Sequence, residues 1–177
     1  MKKLFLVALA TMVVAGLAFG QGMPGKGMMS LGVGGELSLP TASDFSDANG
    51  MGFGGSARFQ YGLEDNVTLY GTFGYMYWPA KEDIEGVDYK LTGLEFLAGG
   101  KYGFGSGFYG LAELGITSFT ATVDIAGLGS GDETESKFML APGVGYAWKG
   151  LTIEAKYFVL DSDFANVRFR VGYDFAL

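Results

Sequence analysis

Ionisable side chains stand singly between apolar residues, glycines and small polar residues along most of this chain: Glu36, Arg58, Glu95, Lys101, Glu113, Lys137, Glu154, Lys156, Arg168, Arg170 and Asp174. Acids and bases gathered in a confined space can do two things. They can pair and fill it, or, if wetted, act as a gate or relay. Five acids against six bases is close to balance, which favours structural pairing over an ion-selective pore. Other chemistry is closed to the chain. None of its 177 residues is His or Cys. That removes imidazole bases and ligands, thiol nucleophiles, thiolate metal sites, disulfides and a lipid-modified leader cysteine. A formal net charge of -7 makes it a poor nucleic-acid binder.

Gly103-Phe104-Gly105-Ser106-Gly107 has the glycines of a phosphate loop but no following Lys, and reads as a turn. Asp161-Ser162-Asp163 opens like a calcium loop, yet Asn166 and Gly172 stand where Gly and Glu are needed. Acids crowd the long connections: Asp44, Asp47, Glu82, Asp83, Glu85, Asp88, Asp124, Asp132, Glu133, Glu135, Asp161 and Asp163. They form a solvated, repulsive surface or weak sites for divalent cations. Finally, Met76, Trp78, Phe119, Val123, Met139, Phe158 and Leu160 put apolar groups on positions that are otherwise polar. They form a hydrophobic mouth that admits a small ligand, or they pack beneath the loops.

The elements that position these residues are strands, because the dominant period is two. Eight segments alternate: 31–39, 51–61, 67–78, about 90–102, 108–123, 137–148, 151–160 and 167–177. Long connections at 40–50, 79–89 and 124–136, with a shorter one at 161–166, take turns with tight ones at 62–66, 103–107 and 149–150. An up-and-down antiparallel meander places those two kinds of connection at opposite ends.

Alternation alone does not say which face is inside. One face is bulky and aromatic, while the other carries Gly, Ala, Ser, Thr and the charges. An eight-stranded barrel has room only for side chains within it, so the small and polar face belongs inside. Aromatics gather at the strand ends, with Tyr61, Tyr102, Phe108, Tyr146, Trp148, Tyr173 and Phe175 at one and Tyr75, Tyr77, Phe138, Tyr157 and Phe169 towards the other. Two such girdles suit the two membrane–water interfaces. The expectation is an all-β, eight-stranded antiparallel transmembrane barrel with a polar, filled interior. The competing reading is a secreted lipocalin-like barrel with its faces exchanged.

Ahead of the strands, Met1-Lys2-Lys3 and the apolar run Leu4 to Leu17 lead to Ala18-Phe19-Gly20, the layout of a secretory signal peptide over residues 1–20. Residues 21–29, rich in Gly and Met, read as a flexible lead-in, and 30–177 as the barrel domain. Together with the Gly–aromatic alternation, the strand–turn–strand Tyr61-Gly62-Leu63-Glu64-Asp65-Asn66-Val67-Thr68-Leu69, and the closing Val171-Gly172-Tyr173-Asp174-Phe175-Ala176-Leu177, the chain resembles the small eight-stranded outer-membrane barrels, the OmpX-like proteins and OmpA-type transmembrane domains. It departs from their closing signal, since the last residue is Leu177 and the aromatic is Phe175.

The resemblance implies an outer-membrane location, lipopolysaccharide as neighbour, and delivery by the barrel-assembly machinery. The expected role is structural or surface-interactive, with at most limited passage of small solutes. The alternative is binding or transport of a hydrophobic ligand at the mouth. No enzyme, cofactor or metal centre is expected: outer-membrane lipid enzymes commonly use His, and no Ser–base arrangement stands out.

Overall fold

The structure is a computed structural model that describes residues 23–81, 87–125, 129–159 and 164–177. The expected leader, Leu160, and the acids Glu82, Asp83, Glu85, Asp161 and Asp163 lie outside the described residues. Its strands are β1 (Met29–Pro40), β2 (Gly52–Glu64), β3 (Val67–Pro79), β4 (Val87–Gly105), β5 (Phe108–Ile125), β6 (Gly129–Trp148), β7 (Leu151–Val159) and β8 (Ala165–Ala176). One short helix, α1 (Ser43–Ala48), lies between β1 and β2. Each strand pairs antiparallel with its sequence neighbours, and β1 closes on β8 from Ser30↔Ala176 to Pro40↔Asn166. Closure leaves no sheet edge around the wall, a requirement for any sheet that crosses lipid.

Burial follows the period of two. In β3, Thr68, Tyr70, Thr72, Met76 and Trp78 are buried while Leu69, Phe73 and Tyr75 are exposed. Outward-facing apolar side chains continue round the wall through Leu31, Phe59, Phe96, Leu114, Phe138, Ile153 and Val171. A soluble barrel would bury that face; here it is the outer surface, as lipid demands. Inside, small residues make room for large ones. A Cβ on Gly99 would come within 2.7 Å of the Tyr70 ring.

At the short-turn end, Lys149 (φ 49°) and Gly150 (φ 86°) form a two-residue hairpin turn, as do Ser106 (φ 53°) and Gly107 (φ 87°). Two successive left-handed residues match the twist of the flanking strands. The described part of the lead-in is tied to this end. Gly27 N–H donates to the Gly62 carbonyl at 2.8 Å, Gly62 N–H donates to Met28 at 2.9 Å, and Lys26 pairs with Glu64 at 2.7 Å. Met23 packs against Tyr109, Leu111 and Ala147. Residues 23–28 are therefore laid across the short-turn end as a stopper.

The other end corrects an expectation. The stretch 124–136, read as a loop, is mostly strand. β5 and β6 stay paired to Ile125↔Gly129, with Ser118–Ser136 (2.8 Å) and Thr120–Thr134 (3.0 Å) hydrogen bonds as rungs. β4 likewise starts at Val87, inside the expected 79–89 connection. A β5 of 18 residues at about 3.3 Å each far exceeds a lipid-facing band about 25 Å tall. These three strands project as a fin. Along β6 every residue from 129 to 136 is exposed, so apolar alternation stops there although backbone pairing does not.

Candidate functional site

Three layers occupy the tube from the short-turn end to the long-loop end. The lowest and broadest is ionic. Arg58 on β2 reaches Glu154 on β7 at 2.5 Å and Glu113 on β5 at 2.8 Å. Lys156 reaches Glu113 at 3.0 Å. Lys101 lies 3.4 Å from Glu154 and 3.9 Å from Asp174, and donates to Gln60 Oε1 at 2.8 Å. Tyr109 donates its hydroxyl to Glu154 at 2.8 Å. Above them Arg168 pairs with Glu95 at 2.7 Å, while Glu36 accepts from Ser56 at 2.6 Å with Lys156, Arg168 and Arg170 all within 3.9 Å. Arg170 also donates to Ser56 and Thr152, each at 3.1 Å.

Ten of the eleven charged residues expected inside are there, and the buried set is five acids and five bases. Lys137 is the exception. It stands at the mouth, half-buried, 3.6 Å from Glu135 and 5.2 Å from the Phe164 ring centre. Its place in the alternation is right but its depth is not, because the strand carries it above the wall. Its removal turns the near-balance into equality. Multiple strong pairings across the axis, contributed by six different strands, leave little for an ion to exchange with.

The second layer is apolar. Met76, Trp78, Phe119, Met139 and Phe158 are each buried to 5% exposure or less, in one cluster with Phe45, Leu91, Leu97 and Ala141. The expected hydrophobic residues named here do converge, packed together as an apolar layer. Val123 is half-buried on the projecting β5 and outside this cluster. The two layers are stitched together. The Arg168 guanidinium lies 3.8 Å from the Phe158 ring centre, and Trp78 Nε1 donates to Ser38 at 3.1 Å. Ser38 and Arg168 both donate to Asn166 Oδ1.

The third layer is open. A cleft of about 380 Å³ lies over the seal, floored by Phe45, Leu91, Phe119 and Phe164, flanked by Asn49 and Tyr89, and rimmed by Glu133, Glu135 and Lys137. None of Phe45, Asn49, Tyr89, Leu91 or Phe164 was picked out from sequence as a site residue. Phe45 and Phe164 are lone aromatics among acidic residues, in Ser43-Asp44-Phe45-Ser46-Asp47 and Asp161-Ser162-Asp163-Phe164. An isolated ring among charges, with no period to account for it, is the signal that marks them. They stack on each other, centroids 4.3 Å apart.

Of the acidic loop residues, Asp47, Asp124, Asp132, Glu133 and Glu135 are exposed. Among the described residues no three carboxylates come close enough to hold a metal ion.

Comparison with known proteins agrees on architecture. No family model matches the sequence, and no curated protein does. Among solved structures, the attachment invasion locus protein Ail of Yersinia pestis superposes with a TM-score of 0.65 at 16% identity, over 86% of this chain and 99% of that one. Neisserial surface protein A gives 0.57 at 15% identity, over 83% and 96%. The N-terminal β-barrel domain of Pseudomonas aeruginosa OprF gives 0.54 at 19% identity, over 88% and 99%. A further structure of Ail holds the heparin analogue sucrose octasulfate. With its apolar wall outward, its charges inward and these neighbours, the chain has the fold of the small eight-stranded outer-membrane β-barrels.

Proposed function

We propose that this chain is an outer-membrane protein whose barrel is a closed anchor and whose long-loop end is its working surface. The observation that supports this best is the filling of the tube. Five buried acids and five buried bases pair across it, with an apolar seal above and residues 23–28 across the bottom. Such an interior transmits no solute at rest. The role is therefore surface interaction and membrane integrity, without catalysis. Delivery by the barrel-assembly machinery and contact with lipopolysaccharide belong to the same reading.

The fin and rim set the sign of the partner. Sucrose octasulfate, held by Ail, is polyanionic. The rim here carries exposed Asp47, Asp124, Asp132, Glu133 and Glu135, and repels such a ligand. A cationic partner, or divalent cations bridging to anionic lipopolysaccharide, suits it instead.

Planar-bilayer recording of the refolded protein tests the closed anchor. Current indistinguishable from bare lipid is expected at moderate voltage. A steady ohmic conductance would overturn it.

A further inference from the structure

We propose that the cleft at the outer mouth is a binding site for a small organic ammonium with an apolar body. This rests on the reading of the long-loop end as the working surface and names what that surface takes.

The floor selects the body. Phe45, Phe164 and Phe119 form a continuous aromatic surface, with Phe164 centred 4.3 Å from Phe45 and 4.7 Å from Phe119. At about 380 Å³ the cleft suits a ring with a short chain. The rim selects the charge. Glu133 and Glu135 stand on β6 over the aromatic floor, and an ammonium held between carboxylates and ring faces is attracted by both. The chain demonstrates that geometry itself, because the Lys137 ammonium lies 5.2 Å from the Phe164 ring centre and 3.6 Å from Glu135.

Asn49 closes one wall of the cleft. It lines the cleft and is only 5% exposed. Its Nδ2 donates to the Phe45 carbonyl at 3.2 Å, whereas its Oδ1 is buried and accepts no hydrogen bond. Two rim carboxylates against the single Lys137 ammonium disfavour an anion, and a plain hydrocarbon leaves that charge unused.

Trp78 lies beneath the cleft, 5.7 Å from Phe45 and 5.9 Å from Phe119, and is one of two tryptophans in the chain. In a W148F background it reports alone. The test titrates this variant, in nanodiscs, with 3-phenylpropylammonium, 3-phenylpropanol and 3-phenylpropanoate, which share one skeleton, and repeats each titration on empty nanodiscs. Saturable binding of the ammonium is expected, with the alcohol weaker by about tenfold and the carboxylate showing none. E133Q/E135Q should weaken the ammonium by about tenfold, whereas K137M, which removes the resident cation, should tighten it several-fold. Glu133 and Glu135 are exposed, and the heat-dependent gel shift of a folded barrel verifies each variant.

Equal affinity for ammonium and alcohol, or a signal that only follows partition into empty nanodiscs, overturns the proposal. A conducting barrel that still discriminates the ammonium overturns the closed anchor alone. A tight barrel that does not discriminate overturns this proposal alone.

Discussion

The ionic layer and the apolar seal fill the same tube, on the same faces of the same strands, by opposite physics. The charged layer has to match in sign: each of its ten members is buried, and each is tolerable only while a counter-charge stands within reach. The seal has to match in volume: Trp78, Met139 and Phe158 are wholly buried with Phe45 folded over them from α1. Removing a partner from the first leaves an uncompensated charge. Removing one from the second leaves a hole. The barrel is thus closed twice, and the open cleft lies over the upper closure.

The comparison breaks hardest at Arg58, which serves both Glu113 and Glu154. Arg58→Ala should destabilise the folded barrel by about 3–5 kcal/mol, read from urea unfolding in lipid vesicles. Arg58→Met with Glu154→Leu should cost distinctly less than Arg58→Ala, since the charge and its main partner leave together. If the double replacement is no better than the single one, the layer is not held by pairing.

In the seal, Met139→Ala should cost about 2–3 kcal/mol by cavity formation, and Met139→Leu under about 1.5 kcal/mol because volume is kept. Both should come from the same unfolding curves. Equal costs for the two would mean that the residue's contact with Thr117, and not its bulk, holds the seal.

The smallest effect belongs to the stopper. Lys26 and Glu64 are more than half exposed, so Lys26→Ala should cost no more than about 1 kcal/mol and less in high salt. Its value is as a baseline: a surface pair against the buried pairs a few residues above.

Much of this was legible in the chain because period two is strong inside lipid. Val167, Phe169 and Val171 against Arg168 and Arg170 assign both faces of β8 without a structure. The turn glycines, the closure and the burial of ten charges follow from the same pattern. What the pattern does not encode is depth. Lys137 precedes Phe138 as Arg168 precedes Phe169, yet one lies above the wall and the other at its heart. Where lipid ends, so does the pattern, and the Thr134–Thr120 and Ser136–Ser118 rungs of the fin resemble loop composition. Phe45 and Phe164 were missed for a related reason. A lone ring outside the strands has no period at all. Met23 was missed because Gly-rich composition suggests freedom, while the Gly27 and Gly62 contacts use it for close approach.

Spin labels test the outward orientation of the apolar wall directly. The chain has no native Cys, so a single Cys at Leu114 or at Thr134 takes one label. In bilayers, the label at Leu114 should collide with oxygen far more than with a water-soluble nickel chelate, and the label at Thr134 should show the reverse. Free access of the chelate to position 114 would contradict the account.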